Sequence, residues 1–204
     1  MGLISNGSTI FDNGAMASGF GGNMVFIKKL TASSSATLSF VDGSDGVVLD
    51  DTYKEYVFTF KNIHPATDQA NFQFNLSIDA GSNYNVTKTS SGFRAFHPEN
   101  DSYTGLAYWA SGLAQSTNFQ SITDGLDNDN DSCGNGTLTL FNPSSAVFVK
   151  HYISTCQINE GGSQESMNNF VGGYGNTTSA VDAVQFKMSS GNIDSGDICL
   201  YGIA

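Results

Sequence analysis

Three aspartates alternate with asparagines in the most polar stretch of the chain, which reads DNDND. Closely spaced carboxylates mixed with amide oxygens are the ligands that Ca²⁺ prefers. An EF-hand loop requires glycine at its sixth position and glutamate at its twelfth, where this stretch has Ser132 and Leu138. Asp127, Asp129 and Asp131 are therefore candidate ligands for a calcium site of another kind, and the alternative is a solvated acidic loop.

Aromatic residues suited to sugar binding lie in a long segment, residues 100–122, whose pattern fits both a strand and one helical turn. Tyr103, Tyr108 and Trp109 stand there among aspartates and asparagines, and exposed aromatics beside such polar groups can stack on carbohydrate. The alternative, which we favour, is a flap whose aromatic rings fill the core or form an oligomer contact.

The three histidines lack the spacing of a metal or catalytic site. His64 and His97 each precede proline and are predicted to be strand-end or turn residues, whereas His151 is expected in the most buried strand. No G-x-S-x-G nucleophile elbow is present, and the acidic residues lie mostly in predicted turns, away from an apolar cleft suited to glycoside hydrolysis. We therefore predict a non-enzymatic protein without catalytic or cofactor-binding residues and with no assigned metal site.

The cysteines indicate a reducing compartment. Cys133, Cys156 and Cys199 are odd in number and have no CxxC spacing, which favours free thiols over a disulfide framework or a zinc site. The first residues, MGLISNGSTIFDNG, lack the pattern of a signal peptide, and no apolar run is long enough for a transmembrane helix. We expect synthesis in a cytoplasm and no association with a membrane.

The composition is that of an all-β protein. Only 13% of the 204 residues are charged, against about 25% in typical domains, while 12% are aromatic. Glycine is abundant, with 23 residues, and proline is scarce, with 3. The net charge of −11 argues against binding to nucleic acid or to an anionic membrane, since both require a basic patch.

The clearest strand signal is a pair of alternating runs within residues 51–78. Apolar residues recur at every second position in both runs, as Tyr56, Phe58 and Phe60 and then as Phe72, Phe74, Leu76 and Ile78. Such alternation is typical of a half-buried antiparallel strand. Turn-forming residues 64–68 separate the runs, which predicts a central hairpin.

Further alternating runs raise the total to about ten strands. They cover residues 24–31, 36–42, 84–89, 92–97, 137–141, 146–156, 181–188 and 197–203. Residues 33–35 are predicted to form a turn, and residues 159–176 a glycine- and asparagine-rich connection. The 146–156 strand has apolar residues on both faces and is expected to be central and covered on both sides. This pattern predicts an antiparallel β-sandwich, jelly-roll-like, formed by residues 24–204 as a single domain.

Residues 1–23 are mostly glycine, serine and asparagine and cannot build a core alone. They are interpreted as an N-terminal arm over a subunit, or as a leading loop with an edge strand. The run at residues 18–22 is interpreted as a flexible join and not as a phosphate loop, because it is not expected between a strand and a helix. Ile10, Phe11 and Phe20 are the candidates for a contact between subunits.

Three stretches resemble small structural proteins encoded by tailed bacteriophages, especially marine and cyanophage types. They are TYKEYVFTFKNIHPATD at residues 52–68, VQFKMSSGNIDSGDICLYGI at residues 184–203, and the opening MGLISNGSTIFDNG. The shared features are an Asn-Ile-His-Pro corner after an early strand and a Gly-x-Ile-x-x-Gly hairpin leading into Leu-Tyr-Gly-Ile. The resemblance carries no catalytic residues.

The resemblance implies a virion component that is made in the host cytoplasm. A capsid decoration, or cement, protein is favoured over a tail-associated subunit. Its partners would be the major capsid protein or tail proteins, together with copies of itself in a homo-oligomer such as a trimer. The competing hypotheses are a carbohydrate-binding module for host-surface recognition and a hydrolase on a jelly-roll scaffold, and the latter lacks a recognisable site.

Overall fold

The structure is a computed structural model that describes residues 3–5, 8–12, 15–16 and 23–204. Within these residues it contains strands and turns and no helix. In chain order the strands are β1 (Leu3–Ser5), β2 (Ser8–Asp12), β3 (Ala15–Met16), β4 (Met24–Ser35), β5 (Leu38–Val41), β6 (Glu55–Pro65), β7 (Phe72–Ser77), β8 (Lys88–Pro98), β9 (Gly105–Tyr108), β10 (Gln120–Ser121), β11 (Gly134–Phe141), β12 (Lys150–Glu160), β13 (Glu165–Gly175), β14 (Ala183–Met188) and β15 (Ile193–Ile203).

Two antiparallel sheets form the sandwich. The larger has eight strands in the order β4-β15-β6-β11-β12-β13-β8-β9, and the smaller has four in the order β10-β7-β14-β5. Successive strands from β4 to β8 alternate between the larger and the smaller sheet, whereas β11, β12 and β13 follow one another within the larger sheet. The predicted all-β antiparallel sandwich is confirmed, with twelve strands in its two sheets in place of about ten.

The predicted central hairpin is wrong, although both of its strands exist. β6 belongs to the larger sheet, where it pairs with β11 and β15, while β7 belongs to the smaller sheet, where it pairs with β10 and β14. Their connection is therefore a corner between sheets. The alternation of apolar residues correctly located the strands, but it carries no information about which strand pairs with which.

The turn predicted at residues 64–68 begins later than expected, because β6 continues as a strand to Pro65 and the chain turns at residues 66–69. His64 pairs with Ser195 of β15, and the register shifts on both sides of Ser195. Asn62 has a left-handed backbone with φ of 52°, and Gly196 opposite it has φ of 121°. The Asn-Ile-His-Pro corner is thus a β-bulge inside a strand, a feature that sharpens the local twist.

β11 and β12 form the predicted second hairpin, with Leu140 opposite Tyr152. β12 is central in its sheet, but the expectation that both of its faces are covered is wrong. Its burial alternates, so that Tyr152 is buried whereas His151 and Ile153 are exposed. The exposed residues form part of an apolar outer surface that the described chain leaves open.

Several other boundaries differ from the prediction. Residues 159–176 are mostly the strand β13, and the expected pair of strands at 84–89 and 92–97 is the single strand β8. The ambiguous segment 100–122 contributes β9 and β10 and no helical turn. The residues 33–35 that were expected to turn complete β4.

The N-terminal segment contributes three short strands that pair with one another as a separate small sheet in the order β1-β2-β3. Ile10 and Phe11 lie in β2. Phe20 and the glycine-rich run at 18–22 lie outside the described residues. The role of this segment in a contact between subunits stays a prediction.

Aromatic side chains from both sheets meet in the core. Val184, Phe186 and Met188 of β14 all point inward and are buried, as the sequence predicts. The ring centroid of Phe186 lies 5.3 to 6.4 Å from those of five other phenylalanines, namely Phe40, Phe58, Phe60, Phe72 and Phe74. This cluster joins the smaller sheet to β6 of the larger one.

Candidate interaction face

The outer side of β8, β9, β12 and β13 carries exposed apolar side chains in adjacent positions. Residues that pair directly across antiparallel strands project from the same face. Tyr108 pairs with Phe93, which pairs with Phe170, and Leu106 lies on the same side of β9. Ile153 joins them from β12 through its pairing with Gly172. We call this surface the apolar face.

Stacked aromatic rings occupy the middle of the apolar face. The rings of Phe93 and Phe170 are 4.7 Å apart between centroids and nearly parallel, at 14°. Leu106, Tyr108 and Ile153 surround them with 71%, 70% and 56% of their surface exposed. Exposed apolar side chains that cluster in this way mark interaction sites, whereas the same residues scattered singly need no explanation.

A groove of about 710 Å³ opens in the apolar face next to these rings. The residues that line it include Phe93, Leu106, Tyr108, Ile153 and Gly172. A β-carbon built at Gly172 would have no described heavy atom within 4 Å. The missing side chain therefore leaves room for an apolar group from outside, and we call this cavity the Gly172 groove.

The apolar face carries no formal charge within the described lengths of its four strands. The outward positions of β12 and β13 between residues 151 and 174 hold His151, Ile153, Thr155, Gln157, Asn159, Ser166, Asn168, Phe170, Gly172 and Tyr174. Those of β8 and β9 hold Thr89, Ser91, Phe93, Ala95, His97, Leu106 and Tyr108. The whole chain has a net charge of −11, but this neutral surface can approach a second acidic protein without strong repulsion.

The outer side of the same sheet continues beyond β11 with mixed character. Phe26 and Tyr201 form an edge-to-face pair with centroids 5.7 Å apart. Near them Lys29 forms an ion pair with Asp197 at 3.3 Å. This part of the sheet combines apolar groups with balanced charges, as the rim of a contact does.

The three aromatic residues considered for sugar binding do not form one platform. Trp109 is buried in the core with 3% of its surface exposed, as the favoured alternative predicts. Tyr103 is half-exposed, and its hydroxyl hydrogen bonds to a carboxylate oxygen of Glu165. Tyr108 belongs to the apolar face. A stacking surface built from all three side chains is therefore excluded.

The aspartate loop stabilises itself through local hydrogen bonds. Asp127 accepts hydrogen bonds from the backbone N–H of Asp129 at 3.1 Å and from the hydroxyl of Ser132 at 2.9 Å. Among the described residues, no group of three or more His, Cys, Asp or Glu side chains is arranged to hold a metal ion. The geometry of Asp127, Asp129 and Asp131 thus matches the solvated acidic loop and gives no support to the calcium site.

The histidines have separate structural surroundings. Nε2 of His64 lies 3.2 Å from the carbonyl oxygen of Asp129, and Nε2 of His97 lies 2.8 Å from a carboxylate oxygen of Asp101. The prediction that His151 is buried is wrong, because it projects outward from β12 beside Tyr174.

The three cysteines are free thiols, as predicted. Cys156 is buried on the inner side of β12, and burial raises its pKa to about 12. A thiol with such a pKa is protonated at neutral pH and is a poor nucleophile. The structure therefore gives Cys156 a packing role.

Two buried lysines escaped the sequence analysis, because a lysine in a strand is normally expected to face solvent. The ammonium group of Lys88 donates hydrogen bonds to Oδ1 of Asn75 and to the carbonyl oxygen of Val86, the latter at 2.8 Å. No ion pair within residues 23–204 includes Lys88. Burial without a counter-charge lowers its pKa to about 7.

The second buried lysine, Lys150, closes the loop of the β11–β12 hairpin. Its Nζ atom donates hydrogen bonds to the carbonyl oxygens of Ser145 and Phe148, both at 2.7 Å. Burial lowers the pKa of Lys150 as well. Both lysines tie backbone segments together, which is a structural role.

The burial of Lys88 predicts that stability rises with pH above neutrality. In the unfolded state the amine of Lys88 keeps its proton up to a pKa near 10.5, whereas in the folded state it loses the proton near pH 7. Burial of the charged ammonium therefore destabilises the fold fully below pH 7, and this destabilisation declines as the pH rises. We expect the free energy of unfolding to increase by about 1.5 kcal/mol between pH 7 and about 8.5. Urea titrations at several pH values measure this slope.

A Lys88→Met variant should lose this dependence on pH, and Lys54→Met, which changes an exposed lysine, should keep it. The range stops near pH 8.5 because the thiol of Cys156 ionises above it in the unfolded state only, which offsets the contribution of Lys88. A wild-type curve that is flat over this range would contradict the assignment.

Comparison with known proteins finds no matching family model, curated protein or solved structure. No helix among the residues described is long and apolar enough to cross a membrane. Among the described residues, the apolar face is the surface best suited to binding, and its central residues Phe93, Phe170 and Gly172 were not predicted from the sequence. The one sequence signal for this face was the presence of apolar residues on both sides of β12, which was interpreted as burial of both sides within the chain.

Proposed function

We propose that this chain is a non-enzymatic structural protein of a tailed-bacteriophage virion. Its most favoured position is on the capsid, as a decoration or cement protein that stabilises the particle through contacts between subunits. The observation that carries the proposal is the apolar face, since a particle subunit must bury surface against its neighbours. The resemblance of the NIHP and LYGI stretches to phage structural proteins supplies the context.

The chemistry of the Gly172 groove supports binding in preference to catalysis. Its lining, which falls entirely within the described residues, contains no His, Cys, Asp, Glu or Lys. An apolar groove of this kind gains free energy by excluding water from apolar side chains. Such a contact stabilises an assembly without any chemical step.

The acidic net charge is consistent with this role. Charges elsewhere on the surface keep free subunits soluble before assembly. The neutral apolar face then provides the region where subunits can approach. Within a particle, many copies of one modest contact add up to substantial stabilisation, because a subunit held at several points is released only when all of them open.

Localisation on the particle tests the proposal. Antibodies raised against the purified chain would be applied to particles from a lysate of the phage that encodes it, followed by cryo-microscopy of the same particles. We expect label and density over the capsid in symmetric copies. Density on the tail alone would assign the chain to the tail-associated alternative, and absence from purified particles would overturn the proposal.

A further inference from the structure

We infer that the apolar face is a contact between two copies of this chain, related by a twofold axis. The inference rests on the proposed role as an assembly protein and names the partner of the face described above. It places a contact between subunits on β8, β9, β12 and β13, apart from the one predicted for the N-terminal segment. Three properties of the described residues support a second copy as the occupant.

The first property is area. Taking roughly 200 Å² for a large side chain in full exposure, the four most exposed apolar side chains of the face present about 500 Å² together. These are Phe93, Leu106, Tyr108 and Ile153. The threonine, serine and amide side chains of the same strands surround them. The apolar side chains alone supply roughly three-fifths of the roughly 800 Å² per partner that a stable interface buries, and the surrounding polar side chains add to it.

The second property is charge. A basic or acidic partner is normally guided by complementary charges, which raise the rate of association. The four strands present no formal charge on their described outer positions, so they offer no such guidance. A second copy brings an equally neutral surface, and the remaining negative charge of both copies stays outside the contact.

The third property is shape. In a twofold contact the same patch is used on both subunits, so any projection must meet a depression on the same face. The apolar face has both: Leu106 and Tyr108 project from the edge strand β9, and the open position at Gly172 forms a groove beside them. Each copy can therefore insert its β9 side chains into the groove of the other.

Analytical ultracentrifugation of the full chain over a concentration series tests this contact. We expect reversible self-association of the wild type. Ile153→Lys places a charge in the contact, and Gly172→Glu places one in the groove, where its β-carbon would have no described heavy atom within 4 Å. Each variant should weaken association by about tenfold or more, because both changes fall at the centre of the interface.

Ile78→Lys is the matched control. Ile78 is also exposed, at 43%, but it follows β7 in the smaller sheet, so association should remain as in the wild type. Circular dichroism and thermal unfolding of all variants verify that the fold is retained. A variant that unfolds is replaced by Leu106→Lys, which lies on the edge strand and has most of its surface in solvent.

Two results would overturn the inference. One is a wild type that stays monomeric at every concentration, and the other is self-association that the apolar-face variants leave unchanged. In the second case, truncation of residues 1–22 would show whether the N-terminal segment makes the contact. Neither result affects the particle-labelling experiment, so failure of this contact is distinguishable from failure of the proposed function.

Discussion

Replacement of Phe186 by alanine is expected to lower the free energy of unfolding by about 3–5 kcal/mol. The side chain is fully buried, and its ring packs against five other phenylalanine rings contributed by β5, β6 and β7. Alanine would remove these contacts and leave a cavity between the two sheets, which the surrounding rings can fill only in part. Urea unfolding monitored by circular dichroism measures the loss.

A leucine at position 186 should be milder than alanine, because it fills much of the same volume. The matched aromatic control is Phe26→Ala. Phe26 is 57% exposed and contacts the ring of Tyr201 on the outer side of the larger sheet, so its loss should cost under about 1 kcal/mol. Equal destabilisation by Phe186→Ala and Phe26→Ala would contradict the assignment of Phe186 to the centre of the core.

The second large effect is expected at Gly196, in the bulge between β6 and β15. A β-carbon at this position would lie 2.6 Å from the carbonyl oxygen of Asn62, and the backbone φ of 121° is one that other residues rarely adopt. Gly196→Ala combines backbone strain with a steric clash. We expect the free energy of unfolding to fall by about 3 kcal/mol.

Gly172→Ala provides the control for the glycine substitution, because the added methyl group would meet open space. Its effect on the stability of the isolated chain should be within about 0.5 kcal/mol. Thermal unfolding of both variants at the same pH gives the comparison. A stable Gly196→Ala protein would show that the bulge can rearrange, and the account of the Asn-Ile-His-Pro corner would then be wrong.

The sequence predicted the all-β class and most strand positions, because inward residues such as Phe58, Phe74 and Phe186 alternate with polar ones. It did not predict the pairing of strands. Residues 66–71 join two sheets, yet their composition is equally suited to a tight hairpin. Apolar residues at every second position indicate that one side of a strand is buried, but they do not indicate which strand lies beside it.

Strand β13 was missed for a different reason. Its glycines are typical of a loop when read one by one, but here they permit close packing between strands. A β-carbon at Gly173 would lie 2.6 Å from the hydroxyl of Tyr152 and 2.6 Å from the carbonyl oxygen of Thr89. Small residues were required by neighbours that are distant in sequence, and no local pattern reveals that requirement.

The apolar face shows a further limit of sequence patterns. Apolar residues on both sides of β12 predicted burial on both sides, and the described chain buries only one. A strand face that another protein subunit covers has the same amino-acid composition as a strand face that its own chain covers. Ile153 therefore became informative only when the structure showed it exposed. The positions of Lys88 and Lys150 in the interior had no signal in the sequence at all.

The place of β15 has a consequence for synthesis on the ribosome. This strand lies between β4 and β6 and pairs with both, although it follows them by more than a hundred residues. While the nascent chain lacks residues 193–203, β4 and β6 must wait without the strand that joins them. The larger sheet can therefore be completed only after these residues leave the exit tunnel, and until then β4 lacks the strand it pairs with in that sheet.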